Sequence, residues 1–199
     1  LASLRIQLPA AAFKMDVRPL LKLVLNAFLG SSTGLVDMCV EHLPSAAEAS
    51  KAATTTAPPD SVLARAIERC DAQGPLLIQI AKVYPTSDAT EFRAFGRVLS
   101  GTVSCGQSVK VLGPTYTPED EEDMAVETVS GVYVAEARYA VHAPGVPAGN
   151  WVLLSGIDAT IAKSATVCDT ALPVADTYVL RPIVHMTESV LKVAIEPLR

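Results

Sequence analysis

"EFRAFGRVLSGTVSCGQSVKVLG", residues 91–113, decides the fold. Two apolar, β-branched runs, 91–101 and 108–113, stand either side of a Gly-containing connection, and glycine closes each run. Short stretches of this texture, punctuated by Gly and Pro, read as strands joined by tight turns. The same texture recurs outward from this point: 76–84 (LLIQIAKVY), 124–137 (MAVETVSGVYVAEA), 150–157 (NWVLLSGI), 164–169 (SATVCD) and 177–184 (TYVLRPIV). Strands this short and this evenly spaced predict a mainly β domain, a small closed antiparallel barrel. Gly96, Gly101, Gly106 and Gly156 fall where such a barrel bends or turns.

Upstream the period changes. Residues 17–29 place Val17, Leu20, Leu21, Val24 and Phe28 on one helical face, with Asp16 as N-cap, Pro19 in the first turn and Gly30 as the stop. Leu35, Val36, Cys39, Val40 and Leu43 repeat the pattern over 33–43, and Pro44 ends it. Residues 45–60 hold small residues and two prolines and read as a linker or exposed insert. A short helix over 61–70, capped by Asp60, follows. The chain begins without methionine and stops just after a strand-like run, so it reads as a piece of a longer protein.

Composition narrows the function. The 199 residues are 50% hydrophobic, which suits a folded protein with a sizeable core. Sixteen basic against 21 acidic residues give a net charge of -5, and five of those negative charges sit together at Glu119, Asp120, Glu121, Glu122 and Asp123. No general basic surface exists for coating nucleic acid. No apolar stretch has the ~18 residues that a membrane span needs. Cys39, Cys70, Cys105 and Cys168 lie far apart, without zinc spacing, and read as scattered thiols. There is no phosphate-binding G-x-x-x-x-G-K-[ST] loop. His42, His142 and His185 have no catalytic partner at a recognisable spacing, so no residue is assigned a catalytic role. The acidic run lacks the glycine and alternation of a calcium loop, which leaves a solvated loop or a partner-facing loop, and no metal ligand is assigned.

The stretch 92–113, with F-G-R-V-x-S-G-T followed by G-x-x-V-K-V-x-G, resembles the second domain of translational GTPases of the elongation factor 2 type. "VPAGNWVLLSGID" (146–158) resembles a later strand pair of that family, "SVLKVAIEP" (189–197) the opening of its third domain, and 18–30 with 33–45 the closing helices of its GTP-binding domain. The acidic loop and Trp151 resemble its spliceosomal branch, the large GTPases of the U5 small nuclear ribonucleoprotein, rather than the ribosomal factor. The resemblance implies four segments: 1–44, closing helices of a GTP-binding domain; 45–73, linker with a short helix; 74–185, the barrel; 186–199, the start of a third domain. It implies a nuclear parent that acts in pre-mRNA splicing, binds GTP outside this piece, and neighbours a large scaffold protein, a helicase and U5 small nuclear RNA, with no membrane partner. The acidic residues 119–123 and Trp151 are then candidates for protein contact, although core packing is the stronger expectation for Trp151. Arg97, Lys110 and Arg138 are candidates for RNA phosphate or for surface ion pairs. Gly96, Gly101 and Gly149 are expected to shape barrel turns. A ribosomal translocase and an interaction module without any GTPase context are the alternatives.

Overall fold

A computed structural model describes residues 6–30, 32–53, 61–119, 122–182, 191 and 193–194. The chain forms two units, Leu1–Ser45 and Ala46–Arg199.

In the first unit a 3-10 turn, Ala10–Lys14, precedes helices α1 (Val17–Leu29) and α2 (Thr33–His42). Asp16 occupies the N-cap position of α1 with extended backbone, but its side chain makes no capping bond. Gly30, at φ +66°, donates its N–H to the Asn26 carbonyl and ends the helix. Val17, Leu21 and Phe28 of α1 and Leu35, Val36 and Val40 of α2 are all exposed. Among the described residues no single helix is long and apolar enough to cross a membrane.

The second unit opens with a helix where a linker was expected. Residues Ala46–Ala53 form α3. Alanine carries the least helical cost of any residue, so a small-residue stretch without Gly or Pro folds this way once it has something to pack on. Residues 54–60 lie outside the described residues. Helix α4 (Val62–Glu68) is capped by Ser61 rather than Asp60, which lies among them: Ser61 Oγ accepts from the Ala64 N–H at 3.0 Å.

Ten antiparallel strands follow: β1 (Leu77–Pro85), β2 (Phe92–Ser100), β3 (Thr102–Ser104), β4 (Ser108–Leu112), β5 (Met124–Thr128), β6 (Gly131–Glu136), β7 (Tyr139–His142), β8 (Gly145–Pro147), β9 (Trp151–Ser155) and β10 (Ala165–Asp169). Eight form one sheet in the order β5-β4-β10-β1-β2-β9-β6-β7, and β3 pairs with β8. The expected closed barrel is not formed, since β5 and β7 remain edges. Among the described residues β5 forms a ladder with β4 alone and β7 with β6 alone, so no ladder joins the two edges. Between β5 and β6 the Val129 N–H goes to the Gln107 carbonyl and the Ser130 N–H to that of Ser155. The expected strand over 177–184 is also missing from its described part, 177–182. That segment is tied down by side chains instead: Thr166 Oγ1 accepts the Leu180 N–H, and Gln79 Nε2 donates to the Arg181 carbonyl. Pro182 has no N–H to extend a ladder.

Strand alternation sends residues to two cores. Ile78, Ile80, Val98, Val109, Val111, Leu154 and Val167 fill the first, which nearly every strand of the sheet joins. Their neighbours Leu77, Leu99, Leu112 and Cys168 face the other way and pack under Leu63 and Ile67 of α4 and under Leu172 and Leu180. Gly96 serves this packing rather than a turn: it lies within β2, where a Cβ would meet the Gln79 carbonyl oxygen at 2.6 Å.

Candidate interaction site

The second core covers only part of the sheet's outer face. Along β2 the side chains of Leu99, Arg97, Phe95 and Arg93 alternate with the inward Val98, Gly96 and Ala94. Leu99 is covered, whereas the other three are half-buried. Register brings Tyr84 of β1 opposite Arg93, and Trp151 of β9 opposite Arg97. On the next strand pair, Leu153 lies opposite Tyr133.

These side chains form an aromatic and cationic face. Trp151 stacks on Phe95 with ring centroids 4.9 Å apart and planes 9° from parallel. Tyr84 meets Phe95 edge-on at 5.8 Å, and His142 meets Tyr133 at 5.6 Å. The Arg93 guanidinium lies over the Tyr133 ring, its Cζ 4.3 Å from the centroid, in cation–π geometry. Trp151 keeps 46% of its surface exposed, which decides against a core role for it. Beside this platform opens a groove of about 480 Å³, lined in part by Tyr84, Arg93, Phe95, Arg138 and Tyr139. The Nε atoms of Arg93 and Arg97 are buried, and neither has a hydrogen-bond partner.

Two of the three basic residues singled out from the sequence thus belong to this face, Arg97 and Arg138. Lys110 does not: its Nζ donates to the Leu172 carbonyl at 3.1 Å and holds the chain that follows β10. The face contains five members that the sequence reading passed over, Tyr84, Arg93, Phe95, Tyr133 and Tyr139. The signal was present in "RAFGR", residues 93–97, where every second residue is aromatic or basic and those between are small.

The acidic run is divided. Asp123 turns inward to the base of the β4–β5 connection, where its Oδ2 accepts from the Thr115 N–H at 2.9 Å and from Thr115 Oγ1 at 2.5 Å. A Cβ on Gly113 would collide with that carboxylate. Glu119 and Glu122 are exposed, while Asp120 and Glu121 lie outside the described residues. Among the described residues no three His, Cys, Asp or Glu side chains gather to hold a metal ion. His42 ends α2, and His185 lies outside the described residues. Two buried groups have displaced acidities: burial pushes the Cys168 thiol up to about 11 and the Tyr178 phenol up to about 12.

The family model for elongation factor Tu domain 2 matches residues 92–168, from the start of β2 through β10. The whole chain is 42% identical to part of the 109 kDa U5 small nuclear ribonucleoprotein component GFL of Arabidopsis thaliana, over 201 residues. It is equally similar, at 42%, to the 110 kDa U5 component CLO of the same plant. Across 99% of its length it is 43% identical to the pre-mRNA-splicing factor cwf10 of Schizosaccharomyces pombe. In each case the chain spans only about one fifth of the relative's length (21%, 20% and 20%). The chain is thus similar from end to end to a stretch of U5 small nuclear ribonucleoprotein components, as the sequence resemblance implied, and its residues 92–168 match the elongation factor Tu domain 2 model.

Proposed function

We propose that this chain is the interaction module of a U5 small nuclear ribonucleoprotein GTPase that acts in pre-mRNA splicing in the nucleus. The parent binds GTP through segments outside this piece and takes part in spliceosome activation and disassembly. The module presents a rigid surface to the particle's large scaffold protein, helicase and U5 small nuclear RNA, and passes the nucleotide state on to them. The observation that carries this reading is the bare aromatic and cationic face of β1, β2, β9 and β6, found in a chain similar throughout to U5 components. A folded domain rarely leaves a stacked Trp–Phe pair exposed beside two arginines without a use for them.

The test is to tag the protein that carries this chain, purify it under native conditions and sequence the RNA that accompanies it. Enrichment of U5 small nuclear RNA is expected. Ribosomal RNA without U5 would overturn the proposal in favour of a translation factor.

A further inference from the structure

We infer that the groove beside Trp151 binds single-stranded RNA, with unpaired bases stacked on the exposed rings and the phosphate backbone held by Arg138. This rests on the interaction-module reading above and names what occupies the face and how it is held.

The lining sets the charge of the occupant. Arg93 and Arg138 border the groove, and no Asp or Glu does. Arg93 is engaged by the Tyr133 ring and buries its Nε, so it contributes a fixed positive charge to the wall. Arg138 is the mobile cation of the pair. It is exposed at the β6–β7 turn, and among the described residues its side chain has no ion pair or hydrogen bond. The chain's net charge of -5 does not reach this place: the run of five acids belongs to the β4–β5 connection, at the opposite end of the strand order from β6 and β7. Without that run the 16 basic residues are matched by as many acidic ones.

The rings set its shape. Phe95 both borders the groove and stacks on Trp151, so groove and indole form one continuous surface. Tyr84 and Tyr139, both exposed, stand at its margin. A basic groove floored by aromatic rings holds a single strand through its phosphates and its base faces together. A duplex keeps those faces inside its own stack and cannot use the rings. An extended peptide is the poorer fit. β1, β2, β9 and β6 are each paired on both sides, so a peptide on this face finds no open ladder for its main-chain N–H and C=O groups. No Asn, Gln, Asp or Glu side chain lines the groove to read base edges, so the binding is tolerant of sequence.

The test is fluorescence anisotropy of a labelled, mixed-sequence single-stranded RNA titrated with the 199-residue chain, against the same RNA annealed to its complement. The single strand should bind, and the duplex should bind roughly tenfold or more weakly. Trp151→Ala should weaken the single strand roughly 5–100-fold, the worth of one stacked base, and leave the salt dependence unaltered. Trp151→Phe keeps a ring and should retain most of the binding, which separates lost stacking from lost folding. Arg138→Gln should weaken binding and lower the slope of log affinity against log salt by about 0.7, one phosphate contact. Lys163→Gln removes the same charge at an exposed position outside the groove and should change neither. Duplex binding as tight as the single strand's overturns the inference, and so do equal losses from Lys163→Gln and Arg138→Gln. Absence of RNA binding overturns it too, and the tagged parent carrying Trp151→Ala and Arg138→Gln then tests the reading beneath. If recovery of accompanying proteins falls, the face holds a protein and the interaction-module reading stands. If proteins and U5 RNA are recovered in full, both fall.

Discussion

Replacing Gly101 by alanine should destabilise the second unit far more than the same change at Gly106, and the two sites form a matched pair. Both glycines are left-handed, at φ +76° and +81°, so each substitution carries the same strain, about 1–2 kcal/mol. Their surroundings differ. A Cβ at Gly106 would meet nothing within 4 Å, whereas at Gly101 it would stand 2.6 Å from the Leu76 Cα and 2.8 Å from the Leu76 nitrogen. Those are backbone atoms beside the buried Leu76 side chain, and Gly101 is itself fastened by its N–H to the Asp71 carbonyl at 2.8 Å. The clash can be relieved only by moving main chain, which adds about 1–3 kcal/mol. Gly101→Ala should therefore cost roughly 2–5 kcal/mol and Gly106→Ala roughly 1–2, against a domain stability of about 5–15 kcal/mol. Urea unfolding followed through Trp151, the chain's single tryptophan, reads this unit directly because the residue lies in β9. Equal midpoints for the two variants would refute the reasoning, since φ alone would then account for both.

Further consequences concern pH, the acidic loop and α4. Burial raises the Cys168 thiol from the ordinary 9.0 to about 11, so between these values the unfolded chain releases a proton that the folded chain keeps. The Cys168 contribution is therefore full below pH 9 and is lost as pH rises towards 11, by a total on the order of 2–3 kcal/mol; urea titrations across that window should show the fall, and Cys168→Ala should remove its part while leaving the fall above pH 10 that the raised Tyr178 phenol contributes. Asp123→Ala should cost about 1 kcal/mol and speed amide exchange at Thr115, because it removes an acceptor of two hydrogen bonds. Glu119→Gln, at an exposed position, should stay within about 0.5 kcal/mol of the wild type. Ser61→Ala removes the cap of α4 and should cost about 1 kcal/mol, measured by the same unfolding assay.

The strands that bury both faces were the most legible in the sequence. The run 76–80 is nearly continuous in apolar residues because successive side chains enter two different cores, and 109–111 alternates, Val109 and Val111 entering the first core with Lys110 between them. Strands β3, β7 and β8 have three, four and three residues, too few for a period to be read. Residues 177–182 have the composition of a strand yet hang from the side chains of Thr166 and Gln79, a tertiary arrangement that no local pattern encodes. Barrel closure was not legible for a similar reason: whether the edge strands β5 and β7 pair depends on partners distant in sequence. At the site, Trp151, Arg97 and Arg138 could be singled out as large or charged residues among strands. Their assembly with Tyr84, Arg93, Phe95 and Tyr139 could not, because cross-strand register collects them from separate strands and their connections.

The central claim, that the bare face of β2 and β9 joins this chain to its particle, is tested most directly by variants that spare the core. Trp151→Ala and Arg93→Gln/Arg97→Gln, introduced into the tagged parent, should leave the circular dichroism of the 199-residue chain unchanged. Recovery of U5 small nuclear RNA and of the accompanying proteins in native purification should fall with both. Undiminished recovery with all three side chains altered together would contradict the account.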